Sequence, residues 1–304
     1  MTPPPDLVVV GSANLDIVVP VDRHPARGET VLGGDHTLVA GGKGANQAVA
    51  AARLGAAVGF VGRIGNDSAG EQLRSSLEEA GVELTGLGTD PRAPSGVALI
   101  TVDPEGDNAI VVSPGANSRL RPDDVAGVPA VRSAKAVLLQ LEIPLETVVA
   151  AAREADGLVV LDPAPAPESI PEELFEHVDL VVPNETELAR LTGLDELPED
   201  IDDIARVARS LPVPRVVVSL GARGALVVDG DHTEYVSAAK VTPIDTTAAG
   251  DAFRAAISVS LTTGADLVHA CRLAVRVGAA TTLRAGAQPS LPTLFEVDEL
   301  LGAS

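Results

Sequence analysis

Short, unbroken apolar runs set the rhythm of this chain. Residues 7–10, 58–61, 136–139, 158–161 and 180–182 each hold three or four consecutive residues, nearly all Val, Leu, Ile, Phe or Ala. Runs without polar alternation read as strands buried on both faces. Two further strands are expected at 216–219 and 225–228. Helical patterns lie between them, at 45–54, 68–80, 145–154 and 185–191, with two long late helices at 249–261 and 267–283. Alternating strands and helices predict an α/β protein with a mostly parallel sheet covered on both faces. The segments at about 15–40 and 95–113 differ, because they carry strand signals with no helix between them. Residues 17–20 read as one strand, and 97–102 with 109–112 as a hairpin turning at 104–107. They predict a small separate sheet, most simply a β lid on a single domain spanning 1–304. No internal repeat or long linker interrupts the pattern.

Composition narrows the function. The 304 residues suffice for a large core, but aromatics are only 2% and Trp is absent, so Ala, Val and Leu must fill it. Stacking platforms for single-stranded nucleic acid are therefore not expected. Against 43 Asp+Glu stand 22 Lys+Arg, a net charge of −21. Such a field repels nucleic acid and anionic membranes, and neither is an expected partner. Any anionic substrate must be held by local donors. One cysteine, Cys271, excludes an internal disulfide framework, and the five scattered His give no zinc pattern. No apolar run approaches membrane-span length, and residues 1–6 lack a signal-peptide layout, so a cytoplasmic protein is expected.

The stretch Asp245-Thr-Thr-Ala248-Ala249-Gly250-Asp251 carries the most chemistry. It places small residues at a helix start, where free backbone N–H groups attract anions. Asp251 then sets a base beside them, which suits phosphoryl transfer to an alcohol. The same residues also suit an ordinary helix N-terminus whose Asp complements the dipole. Gly41-Gly42-Lys43-Gly44-Ala45-Asn46-Gln47 offers close backbone approach with two polar side chains on one turn, or simply a tight turn into a helix. It is not a P-loop, since no Ser or Thr follows Lys43 and the glycine spacing is wrong. Asn14 and Asp16 follow the first strand, and Glu142 follows the strand at 137–141, where open α/β sheets place ligands. A carboxylate beside amides suits vicinal sugar hydroxyls, though turn chemistry and helix-entry acids explain them as well. Asn184 and Glu187 suit a cap and first turn, or, for Glu187, hydrated magnesium. Ser219, Gly221 and Gly224 form either a plain hairpin or a backbone surface for a nucleotide.

Taken in order, these motifs resemble the PfkB family of carbohydrate kinases, from Val10–Asp16 through both signatures to Gly286–Ser290. The resemblance implies a ribokinase-like three-layer fold: a sheet of about nine strands flanked by helices, with a β lid that often clasps a second copy into a homodimer. It implies ATP-dependent phosphorylation of D-ribose at the 5-hydroxyl, with Asp251 as general base. Ribose would be held by Asn14, Asp16, Gly42, Lys43, Asn46 and Glu142. ATP would lie along Asn184, Ser219 to Gly224 and Gly250, and the anion hole would be Ala248, Ala249, Gly250 and Asp251. Magnesium would accompany the ATP. A potassium site would be built mostly from carbonyls of Asp245, Thr247, Thr281, Arg284, Gly286 and Ser290. The chain departs from the family at Ala252 and Arg254, where Thr and Asn are usual, and at Val275, where a polar residue often lies near adenine. Rival readings are a fructose, nucleoside or sugar-phosphate kinase and a non-catalytic sugar- or nucleotide-binding protein. The first segment of the expected lid offers a sugar phosphate chiefly Arg23, His24 and Arg27.

Overall fold

Parallel pairing with both faces covered explains the apolar runs. In the computed structural model, which describes residues 4–302, the run Leu7–Val10 is strand β1 and every residue in it is fully buried. Its side chains alternate between two cores. Leu7 and Val9 join one cluster with the helices Lys43–Arg53 and Ala249–Thr262, while Val8 and Val10 join another with the helix Leu145–Glu154. A strand with a core on each side has no position for a polar side chain.

The chain continues through β2 (Asn14–Pro20), β3 (Thr37–Gly41), β4 (Val58–Gly65), β5 (Glu83–Asp90), β6 (Gly96–Val102) and β7 (Asn108–Ser113). Then follow β8 (Ala136–Leu139), β9 (Leu158–Leu161), β10 (Leu180–Val181), β11 (Arg215–Ser219), β12 (Gly224–Asp229) and β13 (His232–Ser237). The main sheet has nine strands in the order β13-β12-β11-β10-β9-β8-β1-β4-β5. Pairing is parallel from β5 to β11, and only β11, β12 and β13 pair antiparallel. The strand order reverses between β1 and β8, where doubly wound sheets open a ligand crevice.

The second sheet has the order β3-β2-β6-β7. Strand β2 is longer than its apolar half suggests. It begins at Asn14, so Asn14 and Asp16 lie within a strand of the second sheet and not in a turn after β1. The hairpin of β6 and β7 forms with Val102 opposite Asn108, closing over residues 103–107. In register, Leu38, Ile17, Leu99 and Val111 form one row across all four strands. Asp16 belongs to the neighbouring row, with Val39, Ala98 and Val112, on the opposite face.

Small side chains let the helices approach each other closely. Ala45 and Ala48 of Lys43–Arg53 and Ala252, Ala255 and Ala256 of Ala249–Thr262 are fully buried where the two helices pack. Gly44 is needed at the first of these, since a Cβ there would lie 2.6 Å from the Ser12 backbone nitrogen.

Candidate active site

The polar groups gather at the carboxyl ends of the parallel strands. Ser12 follows β1, Glu142 follows β8, Asp162 follows β9 and Asn184 follows β10. A hydrogen bond from Ser12 Oγ to Glu142 Oε2, 2.5 Å, spans the point where the strand order reverses. The same carboxylate oxygen accepts from the Lys43 backbone N–H at 3.1 Å, so Glu142 also fixes the start of the helix Lys43–Arg53. Gly42 precedes that helix with φ +86°, a conformation that L side chains rarely adopt.

Asp251 is the third residue of the helix Ala249–Thr262 and is 7% exposed. Both its oxygens are held from the helix Lys43–Arg53. Asn46 Nδ2 donates to Oδ2 at 3.0 Å and Gln47 Nε2 donates to Oδ1 at 3.0 Å. The second hydrogen of Gln47 Nε2 goes to Asp162 Oδ2 at 2.7 Å, while Gln140 Nε2 donates to Gln47 Oε1 at 2.6 Å. Gln47 thus bridges two buried carboxylates, and its amide orientation is set by all three contacts. Asn46 Oδ1 is buried with no protein partner.

The helix above Asp251 starts without a cap. Ala248 takes φ +59°, the one non-glycine residue with positive φ among those described, and offers no side-chain acceptor. The Ala249 N–H turns back to Thr246 O at 3.2 Å, leaving those of Gly250 and Asp251 at the mouth of the helix.

The expected sugar-facing residues converge around Asp251. Asp16 abuts Gly41, where a Cβ would lie 2.2 Å from its Oδ2. Burial, with the neighbouring charges of Glu142 and Asp251, pushes the Asp16 carboxyl up to about 7. Burial works against the charge of Lys43, but Asp251, Asp162 and Glu142 outweigh it and hold the amine above the ordinary lysine value. Asn14 accepts from Asn117 Nδ2 at 2.7 Å, and Asn117 also grips both backbone polar groups of Ala13.

On the other side of Gly250 lies a largely apolar cavity of about 440 Å³. Ser219, Gly221, Gly224, Ala249 and Gly250 line it, as does Val275, whose apolar side chain replaces the polar group expected there. Phe253, two residues past Asp251, lines it too, as does Lys240, whose sequence context does not mark it. Ser219 to Gly224 is a hairpin through the 3₁₀ turn Gly221–Arg223, and its backbone borders the cavity. Asn184 caps the helix Glu185–Leu191 reciprocally with Glu187, each backbone N–H reaching the other's side chain at 2.8 Å.

Arg254 is the largest surprise. It is 4% exposed, and its guanidinium lies between two acids: Nη2 donates to Glu187 Oε2 at 2.7 Å, and Nε lies 2.8 Å from Asp162 Oδ1 while donating to Val182 O. Its Nη1 reaches within 2.6 Å of where a Gly250 Cβ would stand. Asp162 itself, fully buried after β9, was absent from the expected site. Its position matches that of Glu142 after β8, and that parallel is the signal that could have found it.

The residues expected around a cation meet where two loops join. Asp245 Oδ1 accepts from Thr247 N at 2.8 Å and Oδ2 from Gly286 N at 2.7 Å. Burial raises its carboxyl, but these bonds prevail and hold it below the usual carboxylate value. The hydroxyls of Thr281 and Ser290 are buried and donate to the carbonyls of Val277 and Ala287. The Arg284 side chain pairs with Glu296 at 2.7 Å.

A buried carboxylate under an uncapped helix start, with a polar pocket on one side and an apolar slot on the other, is the architecture of a phosphotransferase acting on a small polyhydroxy compound. The model of pfkB family carbohydrate kinases matches residues 4–294, and the chain belongs to that family. It is 38% identical over 300 residues to the ribokinase of Haemophilus influenzae, covering 97% of this chain and 98% of that protein. A deoxyribokinase of Salmonella typhi is 35% identical over 304 residues, covering 97% and 98%. Among solved structures, that of Arabidopsis thaliana ribokinase complexed with ribose and ATP superposes with TM-score 0.90 at 36% identity and covers 100% of both chains.

Proposed function

We propose that this protein transfers the γ-phosphoryl group of ATP to the 5-hydroxyl of D-ribose, giving ribose 5-phosphate and ADP. One observation carries the reading: Asp251, set directly beneath an uncapped helix start, is held by Asn46 and Gln47 from the same helix that begins with Lys43. The base, the anion donors and the sugar-facing Lys43 and Asn46 are therefore tied together through two helices. The full-length likeness to ribokinases supports ribose as the acceptor.

In this reading Asp16 and Asn14 accept from the ribose hydroxyls, and the unpartnered Oδ1 of Asn46 accepts a hydrogen bond from a further hydroxyl. Lys43 and Glu142 complete the pocket. Asp251 Oδ1 and Oδ2 each keep one amide donor, which fixes the carboxylate without occupying all its lone pairs. It takes the proton from the 5-hydroxyl as that oxygen attacks phosphorus. The N–H groups of Gly250 and Asp251 receive the charge on the moving phosphoryl oxygens. ATP lies in the apolar slot with its phosphates toward Gly250.

Among the described residues no group of three or more His, Cys, Asp or Glu side chains converges to hold a metal ion. Glu187, a hard oxygen donor fixed by its cap and Arg254, fits an outer-sphere place for Mg²⁺. When bound on the triphosphate, Mg²⁺ neutralises phosphate charge. The Asp245 carboxylate, tying the two loops together, fits K⁺, and that ion would steady the loop leading into Ala248. The second sheet serves as a lid of the same domain, and its outer row of Leu38, Ile17, Leu99 and Val111 clasps a second copy. The setting we infer is the cytoplasm, in keeping with a single buried cysteine and no disulfide.

Coupled ADP release tests the function over ribose, 2-deoxyribose, fructose, a nucleoside and a sugar phosphate. The highest kcat/KM is expected on ribose. No turnover on any of them would mark a binding protein, and a preference for another acceptor would replace ribose.

A further inference from the structure

A concentration of positive charge lies at the edge of the main sheet that ends in β5. At the carboxyl ends of β4 and β5 a cavity of about 360 Å³ is lined by Arg63, Asp90, Arg92, Arg119, Arg121 and Asp124. Four of only 22 basic residues thus border one concavity in a chain of net charge −21. None belongs to the proposed active site.

The two acids are already engaged. Arg63 pairs with Asp90 at 3.2 Å and with Asp124 at 2.7 Å. Asp90 also accepts from the Arg92 backbone N–H at 2.8 Å, and Asp124 from that of Arg121 at 2.9 Å. Arg119 approaches Asp90 no closer than 3.8 Å. The guanidinium groups of Arg92 and Arg121 have no ionic partner among the described residues and are exposed. Acids that are spent on Arg63 and on backbone donors cannot neutralise them, so the cavity keeps an excess of planar, forked donors suited to phosphate oxygens.

The arginines also sit on different parts of the chain. Arg63 belongs to β4 of the main sheet. Arg92 lies on the link from β5 to β6, and Arg119 and Arg121 on the link that follows β7. These two links are the stalks by which the β6–β7 hairpin of the second sheet joins the body.

We infer that this cavity binds a phosphate dianion, free or esterified on a small sugar, and that the bound anion ties the two stalks of the second sheet together. The volume admits a phosphorylated monosaccharide, and the surrounding negative field leaves this as a local attractive site for such a group.

The inference rests on the proposed function only in needing the cleft filled. The experiment therefore uses the full chain with saturating ribose and a non-hydrolysable ATP analogue, which keep phosphate and product out of the active site. Thermal midpoints are read at constant ionic strength while chloride is exchanged for inorganic phosphate or for ribose 5-phosphate. A saturable rise of about 3 °C is expected at ten times the dissociation constant. The rise should vanish in Arg92→Ser/Arg121→Ser, two exposed positions where folding is not at stake, and amide exchange in residues 91–95 and 114–121 should slow on binding. A rise with ribose 5-phosphate alone identifies the esterified source, and an equal rise with phosphate shows that the free anion suffices. No rise with either, a rise that survives the double substitution, or unchanged exchange in the stalks overturns the inference. Failure of ribose and the ATP analogue to stabilise the protein themselves would instead count against the proposed function.

Discussion

Replacing Arg254 with methionine should destabilise the fold by about 3–5 kcal/mol, the cost of breaking a buried ion pair from one side. The side chain is nearly inaccessible, and its removal strands Asp162, which is fully buried with one hydrogen bond from Gln47. The loss should also depend on pH. Burial pushes the Asp162 carboxyl up to about 7, against the pull of Arg254 and Lys43. Without Arg254 it rises further. A carboxyl whose folded pKa lies above its unfolded value keeps a proton in the native state that the unfolded chain has lost, so stability falls as pH rises through that window. The parent protein leaves the window near pH 7, whereas the variant stays in it. At about 1.4 kcal/mol per proton and pH unit, the gap between them should widen by on the order of 1 kcal/mol from pH 6 to pH 8. The assay is urea unfolding at both pH values and one protein concentration. It is best followed by circular dichroism, since the chain has no Trp and a single Tyr. A loss below about 1 kcal/mol, or one equal at the two pH values, would refute the view that Arg254 compensates Asp162.

Four further outcomes are expected. Asp251→Asn should lower kcat by about 10²–10⁴ with little change in ribose binding, and near-normal turnover would remove it as the base. In the proposed role Asp16, whose carboxyl burial pushes up to about 7, accepts from ribose only when ionised, so kcat/KM for ribose should fall tenfold per pH unit below that value. Asp16→Ala should flatten this limb and weaken ribose binding by about 1.5–3 kcal/mol, and calorimetry showing an unchanged dissociation constant would contradict the assignment. Potassium should raise kcat more than sodium or lithium in a tetramethylammonium buffer, and Asp245→Ala should erase the preference; full rate without any alkali cation would show the site is absent. Val111→Glu, on the exposed outer row of the second sheet where Val111 is 66% exposed, should convert a dimer to monomer by sedimentation. A parent protein that is already monomeric would dispose of the clasp.

The main sheet was legible where its strands have a core on both sides. β1, β8 and β9 appear as runs of Val, Leu and Ala because neither face admits a polar residue. β5, Glu-Leu-Thr-Gly-Leu-Gly-Thr-Asp, has no such run, and its parallel register on β4 makes it a strand. β13, at the sheet edge, is mostly solvent-facing and similarly silent. The helix Ile201–Ala208 passed unassigned even though Asp200 caps it with two backbone bonds and its apolar residues share one face. In the candidate site, residues next to glycines or at strand ends, such as Asn46, Glu142 and Asp251, stand out by local pattern. Asp162, Gln140 and the bridging role of Gln47 depend on contacts across 93 to 204 positions, which no local pattern records. Arg254 was visible only as a departure from the family pattern. Its pairing with Glu187 and Asp162 needed the fold to bring three elements together.

Ala248 sets helix stability against turnover. It sits at the head of a fourteen-residue helix in a backbone conformation that favours glycine or asparagine, and it supplies no cap. A capping side chain at such a position ordinarily stabilises a helix by about 1 kcal/mol. Here its oxygen would compete for the very N–H groups that the proposed reaction assigns to the phosphoryl group. Selection for stability alone and selection for turnover therefore favour different residues at this one position. A library of 248 variants, sorted once by melting temperature and once by rate, should rank in opposing orders.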